Sequence, residues 1–185
     1  MNQDLSIQDD MDPSLRYPIG KFAPKGPLTT ERRKQHIEEI ARLAGELTAL
    51  VQPLSSEQLS TPYRPGGWSV TQLVHHLADT GMYAYLRFKR GLTEEAPEIP
   101  SYRQDLWAEQ DDYKEEQLAS SLELQEHLNR RFVTLLRSLS EDDYLRIIVS
   151  QGLGTMTLDT AVQRYLWHNH HHMAQITYLI TRSGW

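Results

Sequence analysis

The segment Leu158–Arg182, LDTAVQRYLWHNHHHMAQITYLITR, decides the fold. Leu158, Val162, Tyr165, Asn169, His172, Ile176 and Leu179 follow alternating steps of four and three, the seam of a helix packed in a bundle. Two seam positions, Asn169 and His172, are polar, and His168 flanks them. At about 100° per residue, His172 lies roughly 20° from the seam centre, Asn169 about 40° and His168 about 60°. His170 and His171 fall more than about 100° away and are expected to face solvent. His168 and His172 therefore enter the bundle one turn apart, a spacing that aims two imidazole nitrogens at one ion.

A third ligand is expected from an earlier helix. Ser69 and Gln72 form a capping-box pair that opens it, and Leu73, Leu77, Gly81, Ala84 and Phe88 carry it to about Arg90, where Gly91 reads as its stop. Of the adjacent His75 and His76, His76 lies nearer the apolar stripe. A single histidine in a helix seam is ordinarily a hydrogen-bonded core residue. Three converging ones, with no carboxylate in the seam, match the count of a catalytic zinc site that keeps its fourth position open. His75, His36 and His127 read as surface residues. Arg87 and Lys89 could attract an anionic substrate, but read more simply as charges of an exposed helix end.

Two more helices complete the pattern. One should run from Thr29 or Thr30 to about Val51, with Ile37, Ile40, Ala41, Ala44 and Leu47 on its apolar face and Pro53 ending it. The other should start at Ser120, with Glu123 completing a capping box, and bury Leu124, Leu128, Val133, Leu135, Leu136 and Leu139. Between these elements, Ser55–Gly67 reads as a loop. Residues 92–117 read as a long crossover with one helical piece near Asp105–Tyr113. Arg146–Thr157 fits either a small hairpin or an irregular loop. The predicted fold is an all-α four-helix bundle, a single domain over residues 16–185. Residues 1–15 are expected to form a mobile tail, and Tyr17–Pro27 an extended strap across the domain.

Composition narrows the function. Nineteen Lys and Arg against twenty-five Asp and Glu give a net charge of −6, which disfavours binding to a phosphate backbone. The chain has no cysteine, which excludes disulfides, thiolate nucleophiles and cysteine-type zinc sites, and fits a reducing cytoplasm. The acidic start of the chain does not fit a secretory signal, and no stretch is apolar enough to span a bilayer.

The segments LRYPIGKF (Leu15–Phe22), TPYRPGGWSVTQLVHHLAD (Thr61–Asp79), LTEEAPEIPSY (Leu92–Tyr102) and YLWHNHHHMAQIT (Tyr165–Thr177) together resemble the YfiT-like branch of the DinB superfamily. The resemblance implies a four-helix bundle holding one divalent metal per subunit, zinc or nickel. Its ligands would be the histidine just before Leu77–Ala78–Asp79 and the two of an H-x-x-x-H on the last helix. These are His76, His168 and His172, the three that the helix-face argument selects. It further implies a homodimer acting as a metal-dependent hydrolase on a small molecule. Relatives in the wider superfamily imply an alternative, transfer of a thiol such as bacillithiol as cosubstrate. A non-catalytic metal-binding stress protein is the third reading. Asp79 reads as an orienter of His76, a proton acceptor or a surface acid. Asn169 reads as a partner for bound water or a bridge between helices.

Overall fold

The computed structural model describes residues 13–185. Among them the chain runs α1 (Pro13–Arg16), α2 (Thr30–Val51), α3 (Ser56–Leu59), α4 (Val70–Thr93), β1 (Glu98–Ile99), α5 (Gln104–Trp107), α6 (Asp112–Glu115), α7 (Leu118–Arg137), α8 (Glu141–Leu145), β2 (Ile147–Ser150), β3 (Gly154–Thr157) and α9 (Leu158–Ser183). The tail expected over residues 1–15 lies outside the described residues as far as residue 12, and its last part enters the helical turn α1. Tyr17–Pro27 is the expected strap. The Lys25 amide donates to Gln163 Oε1 at 3.0 Å, Gln163 Nε2 donates to the Gly26 carbonyl at 2.8 Å, and Gln175 Nε2 donates to the Arg16 carbonyl at 2.9 Å. The first two bonds fasten the strap along α9, and the third ties down the end of α1 just before it.

The four long helices α2, α4, α7 and α9 form a four-helix bundle. α7 and α9 each pack against both α2 and α4, so helices consecutive in sequence, α2 then α4 and α7 then α9, stand on diagonals. The single crossover expected at residues 92–117 is therefore placed differently. That stretch joins the neighbours α4 and α7, and the diagonals are crossed by residues 52–69 and 138–157. The second crossing carries a hairpin with Ile148 opposite Met156. β1 extends it in parallel, giving a three-stranded sheet in the order β1-β2-β3.

Local signals account for most boundaries. Thr29, Ser69 and Thr157 each cap a long helix by accepting the amide of the third residue on. Two boundaries differ from the sequence reading. α7 opens at Leu118 with Gln117 before it and no side-chain cap, because Ser120 instead donates to Glu116 at 2.6 Å. α4 runs past Gly91 to Thr93. Gly91 serves packing there: a Cβ would lie 2.8 Å from Ile148 Cγ2 and 3.0 Å from Leu158 Cδ2, so its absence lets β2 approach α4. Gly91→Ala should lose about 1–3 kcal/mol in urea unfolding. A gain of up to about 1 kcal/mol, the ordinary propensity effect of removing a helical glycine, would show that the contact yields freely.

The core divides into two apolar clusters. One gathers Phe88, Phe132, Leu158, Val162 and Tyr165, the other Leu47, Leu73, Leu77, Ile176 and Leu179. Between them the buried positions are polar, Gln125 and Asn129 on α7 and Asn169, His172 and Gln175 on α9. The leucines of α7 mislead here. Leu124 is exposed, whereas Gln125 and Asn129 face inward, because α9 offers them partners: Gln125 Nε2 donates to Asn169 Oδ1 at 3.1 Å and Tyr165 Oη donates to Asn129 Oδ1 at 2.7 Å. Buried amides are tolerated only when so paired.

Candidate metal centre

His76 on α4 and His168 and His172 on α9 meet in this polar layer. Each offers a ring nitrogen, and the three lie within 4.8 Å of one another. Nε2 of His168 and Nε2 of His172 are 3.2 Å apart, close to the roughly 3.3 Å that two nitrogens adopt on a tetrahedral zinc with bonds of about 2.0–2.1 Å. Both ring nitrogens of His76 are buried without a hydrogen bond. A neutral imidazole carries one N–H and one lone pair, so leaving both unused is costly unless another group completes them. Trp68 closes one side, its ring 4.7 Å from that of His76 and 6.4 Å from that of His172.

One neighbour fixes a tautomer. Gln175 Nε2 donates to the Arg16 carbonyl, which leaves Oε1 facing His172 Nδ1 at 2.8 Å. His172 therefore carries its proton on Nδ1, and its Nε2 lone pair points to the cluster. Burial pushes His76 down to about 4. Burial first, then the neighbouring imidazoles, holds His168 and His172 well below the usual histidine value. All three are thus neutral at pH 7, the state in which imidazole binds metal.

Two cavities meet at His168. One, of about 370 Å³, is lined by Thr80, Ala84, Phe88, Met156 and Tyr165, together with Arg87, Tyr102 and Arg164. The other, also about 370 Å³, reaches His168 and His172 past Tyr63, Trp68 and Trp167. Gln104 and Leu153 border both. Of the stretch Thr80–Tyr83 that follows the α4 histidines, Thr80 lines the first cavity and Met82 is exposed. Arg87, read from sequence as an exposed helix-end charge, is half-buried on the same cavity wall.

The other expected positions separate. Asp79 accepts a hydrogen bond from Tyr113 Oη and makes none to His76; burial raises its pKa. Asn169 is fully buried, donating to the Tyr165 carbonyl at 2.9 Å and accepting from Gln125, and so links α9 to α7. His127 is exposed and His36 and His170 half-buried. His75 and His171 correct the sequence reading, because both are buried. α6 and the start of α7 cover His75, whose Nδ1 lies 2.7 Å from Ser121 Oγ. Trp167 stacks on His171 at 4.9 Å, and Tyr17 of the strap approaches it at 5.7 Å. Sequence reasoning passed over Arg164, Gln175 and Trp68. Two of these had a signal in spacing, since Arg164 precedes His168 by one helical turn and Gln175 follows His172 by three residues.

Comparison with known proteins finds the DinB superfamily domain matched over residues 39–176. The chain is 40% identical over 173 residues to a Bacillus subtilis (strain 168) protein named "Putative metal-dependent hydrolase YfiT", covering 93% of this chain and 97% of that one. A Bacillus cereus (strain AH820) protein carrying the same functional description is 44% identical over 171 residues, covering 92% of this chain and 98% of that one. The solved structure of YfiT, described as a probable metal-dependent hydrolase with an unusual four-helix bundle topology, superimposes with a TM-score of 0.91, covering 93% of this chain and 99% of that one.

Proposed function

Because this chain belongs to the DinB superfamily, we propose that it is a metal-dependent hydrolase of small molecules, with His76, His168 and His172 as ligands of one divalent ion. The observation that carries this reading is the meeting of three imidazoles, one of them, His76, buried with both nitrogens unpaired. Zinc or nickel suits a set of three neutral nitrogens. Such an ion supplies Lewis acidity toward water and toward an electrophilic carbonyl. The chain contributes the rest. Burial keeps the three rings unprotonated, and Gln175 fixes the His172 tautomer. Trp68 covers the cluster, and the cavity wall of Ala84, Phe88 and Met156 seats an apolar substrate body beside His168.

The test compares metal-stripped protein with protein reconstituted with zinc or nickel, using 4-nitrophenyl esters with and without bacillithiol. Metal-restored hydrolysis without thiol is expected. Product formed only with thiol would overturn the hydrolase reading in favour of transfer. No product under any condition would overturn the enzymatic reading in favour of a metal-binding protein.

The role given to Gln175 has its own consequence. Gln175→Leu should weaken metal binding by about 10–100-fold, as loss of a hydrogen bond to a ligating histidine typically does. Competition with a chromophoric chelator measures this. An unchanged affinity would show that the Nδ1 contact does not organise the ligand.

A further inference from the structure

Three hydrogen-bond donors are buried without a partner in the wall of the cavity beside His168. Nε of Arg87, Nε of Arg164 and the Tyr102 hydroxyl are buried and make no hydrogen bond, and all three residues line that cavity. Among the described residues neither guanidinium has an ion-pair partner. The one carboxylate on the wall, Asp105, is engaged by Arg103 through Nε and Nη2 at 3.0 and 2.6 Å. Other arginines enclosed by the fold are satisfied. Arg33 pairs with Asp159 and Glu141, and Arg64 donates to Tyr63 Oη and the Pro65 carbonyl.

Aromatic rings hold the two guanidinium planes. Arg87 lies 5.7 Å from the centroid of Tyr83, and Arg164 lies 4.4 Å from that of Phe22. Such contacts position a cation but leave its N–H groups unused. Burial disfavours both charges, and the Arg164 charge acts against that of Arg87. Two like charges sharing one low-dielectric wall call for a counter-charge. Their placement also follows the metal ligands. Arg164 stands one turn before His168, and Arg87 stands eleven residues after His76, about 20° from the same direction on α4.

We infer that Arg87, Arg164 and the Tyr102 hydroxyl bind the carboxylate of an anionic small-molecule substrate, whose apolar body lies along Phe88 and Met156 with its reacting end at His168. A guanidinium fork matches the two oxygens of a carboxylate, and the phenol adds a third donor. The assignment of the reacting end rests on the metal-dependent reading above; the anion site itself does not.

The test is equilibrium binding, which needs no turnover. Calorimetric titrations with 4-phenylbutyrate and its neutral analogue 4-phenylbutanamide would be made on wild type, Arg87→Gln, Arg164→Gln and Tyr102→Phe, each metal-free and metal-loaded. Wild type should prefer the carboxylate by about tenfold or more in both states. Each arginine variant should lose most of that preference while keeping its circular dichroism spectrum and metal content. Tyr102→Phe, the gentlest change, should lose a few-fold. A wild type that binds both compounds equally or neither, or a preference that survives the substitutions, would overturn the proposal. So would a preference seen only with metal present, which would assign the carboxylate to the ion. Failure of the hydrolase reading would leave the metal-free titrations unaffected, so the two failures are distinguishable.

Discussion

Arg33→Met is expected to lower the unfolding free energy by about 3–5 kcal/mol, the usual result of stranding one member of a buried ion pair. Arg33 sits in the first turn of α2, where a sequence reading would leave it in solvent, yet it is 5% exposed. Its Nε donates to Asp159 Oδ1 at 2.8 Å, Nη1 to Glu141 Oε2 at 2.7 Å and Nη2 to the Leu28 carbonyl at 3.1 Å. The Tyr144 ring lies 4.2 Å below the guanidinium. Asp159, 2% exposed, also accepts the Leu28 amide at 2.8 Å. This one contact set joins the strap, α2, α8 and α9. Methionine would fill most of the volume but leave the Asp159 carboxylate buried without a cation. The double variant Arg33→Met/Asp159→Leu should therefore recover a substantial part of the loss, because removing both charges also removes the desolvation cost. Urea unfolding of both singles and the double completes the cycle. A single-variant loss below about 1 kcal/mol, the range of exposed pairs, would show that water reaches the site.

The same contrast between local pattern and non-local cover explains what the sequence revealed. Every residue of the seam from Leu158 to Leu179 is buried, because a four-three repeat is a property of one helix and needs no knowledge of its neighbours. His76, His168 and His172 were legible for the same reason. His75 and His171 were not. Each faces away from the bundle axis, and whether it meets water depends on where α6 and the strap settle. The inward face of α7 failed differently. Val133 and Leu136 are buried as expected, but toward the helix start Gln125 and Asn129 are buried in place of Leu124, and only the facing Asn169 and Tyr165 make that affordable. Arg164 escaped notice because one arginine amid apolar neighbours reads as a snorkelling surface charge. Its significance rests on Arg87 and Tyr102, which reach the same cavity from α4 and the segment before α5.

His76→Ala should weaken metal binding by about a thousandfold or more, well beyond the 10–100-fold expected when only a hydrogen bond to a ligand is lost. It removes the one nitrogen that α4 brings to the three-histidine cluster and leaves two from a single helical turn. Chelator competition on untagged protein would measure the change. Full retention of metal would assign the binding to other histidines. A second consequence appears in the metal-free protein. His76 has a pKa of about 4 in the fold, against 6.5 for an unperturbed histidine. Above pH 6.5 neither the folded nor the unfolded chain protonates this residue, so it adds no pH dependence. As pH falls below 6.5 the unfolded chain takes up a proton that the buried ring refuses, and stability declines until about pH 4. The loss from this residue is about 3 kcal/mol over that window. His76→Ala removes that contribution, so its stability should fall less steeply with pH than that of the metal-free wild type. His168 and His172, also held neutral by burial, leave a residual slope. Equal slopes in the two metal-free proteins would mean that the His76 ring finds a proton or a partner in the fold, and the unpaired nitrogens that carry the metal reading would lose their force.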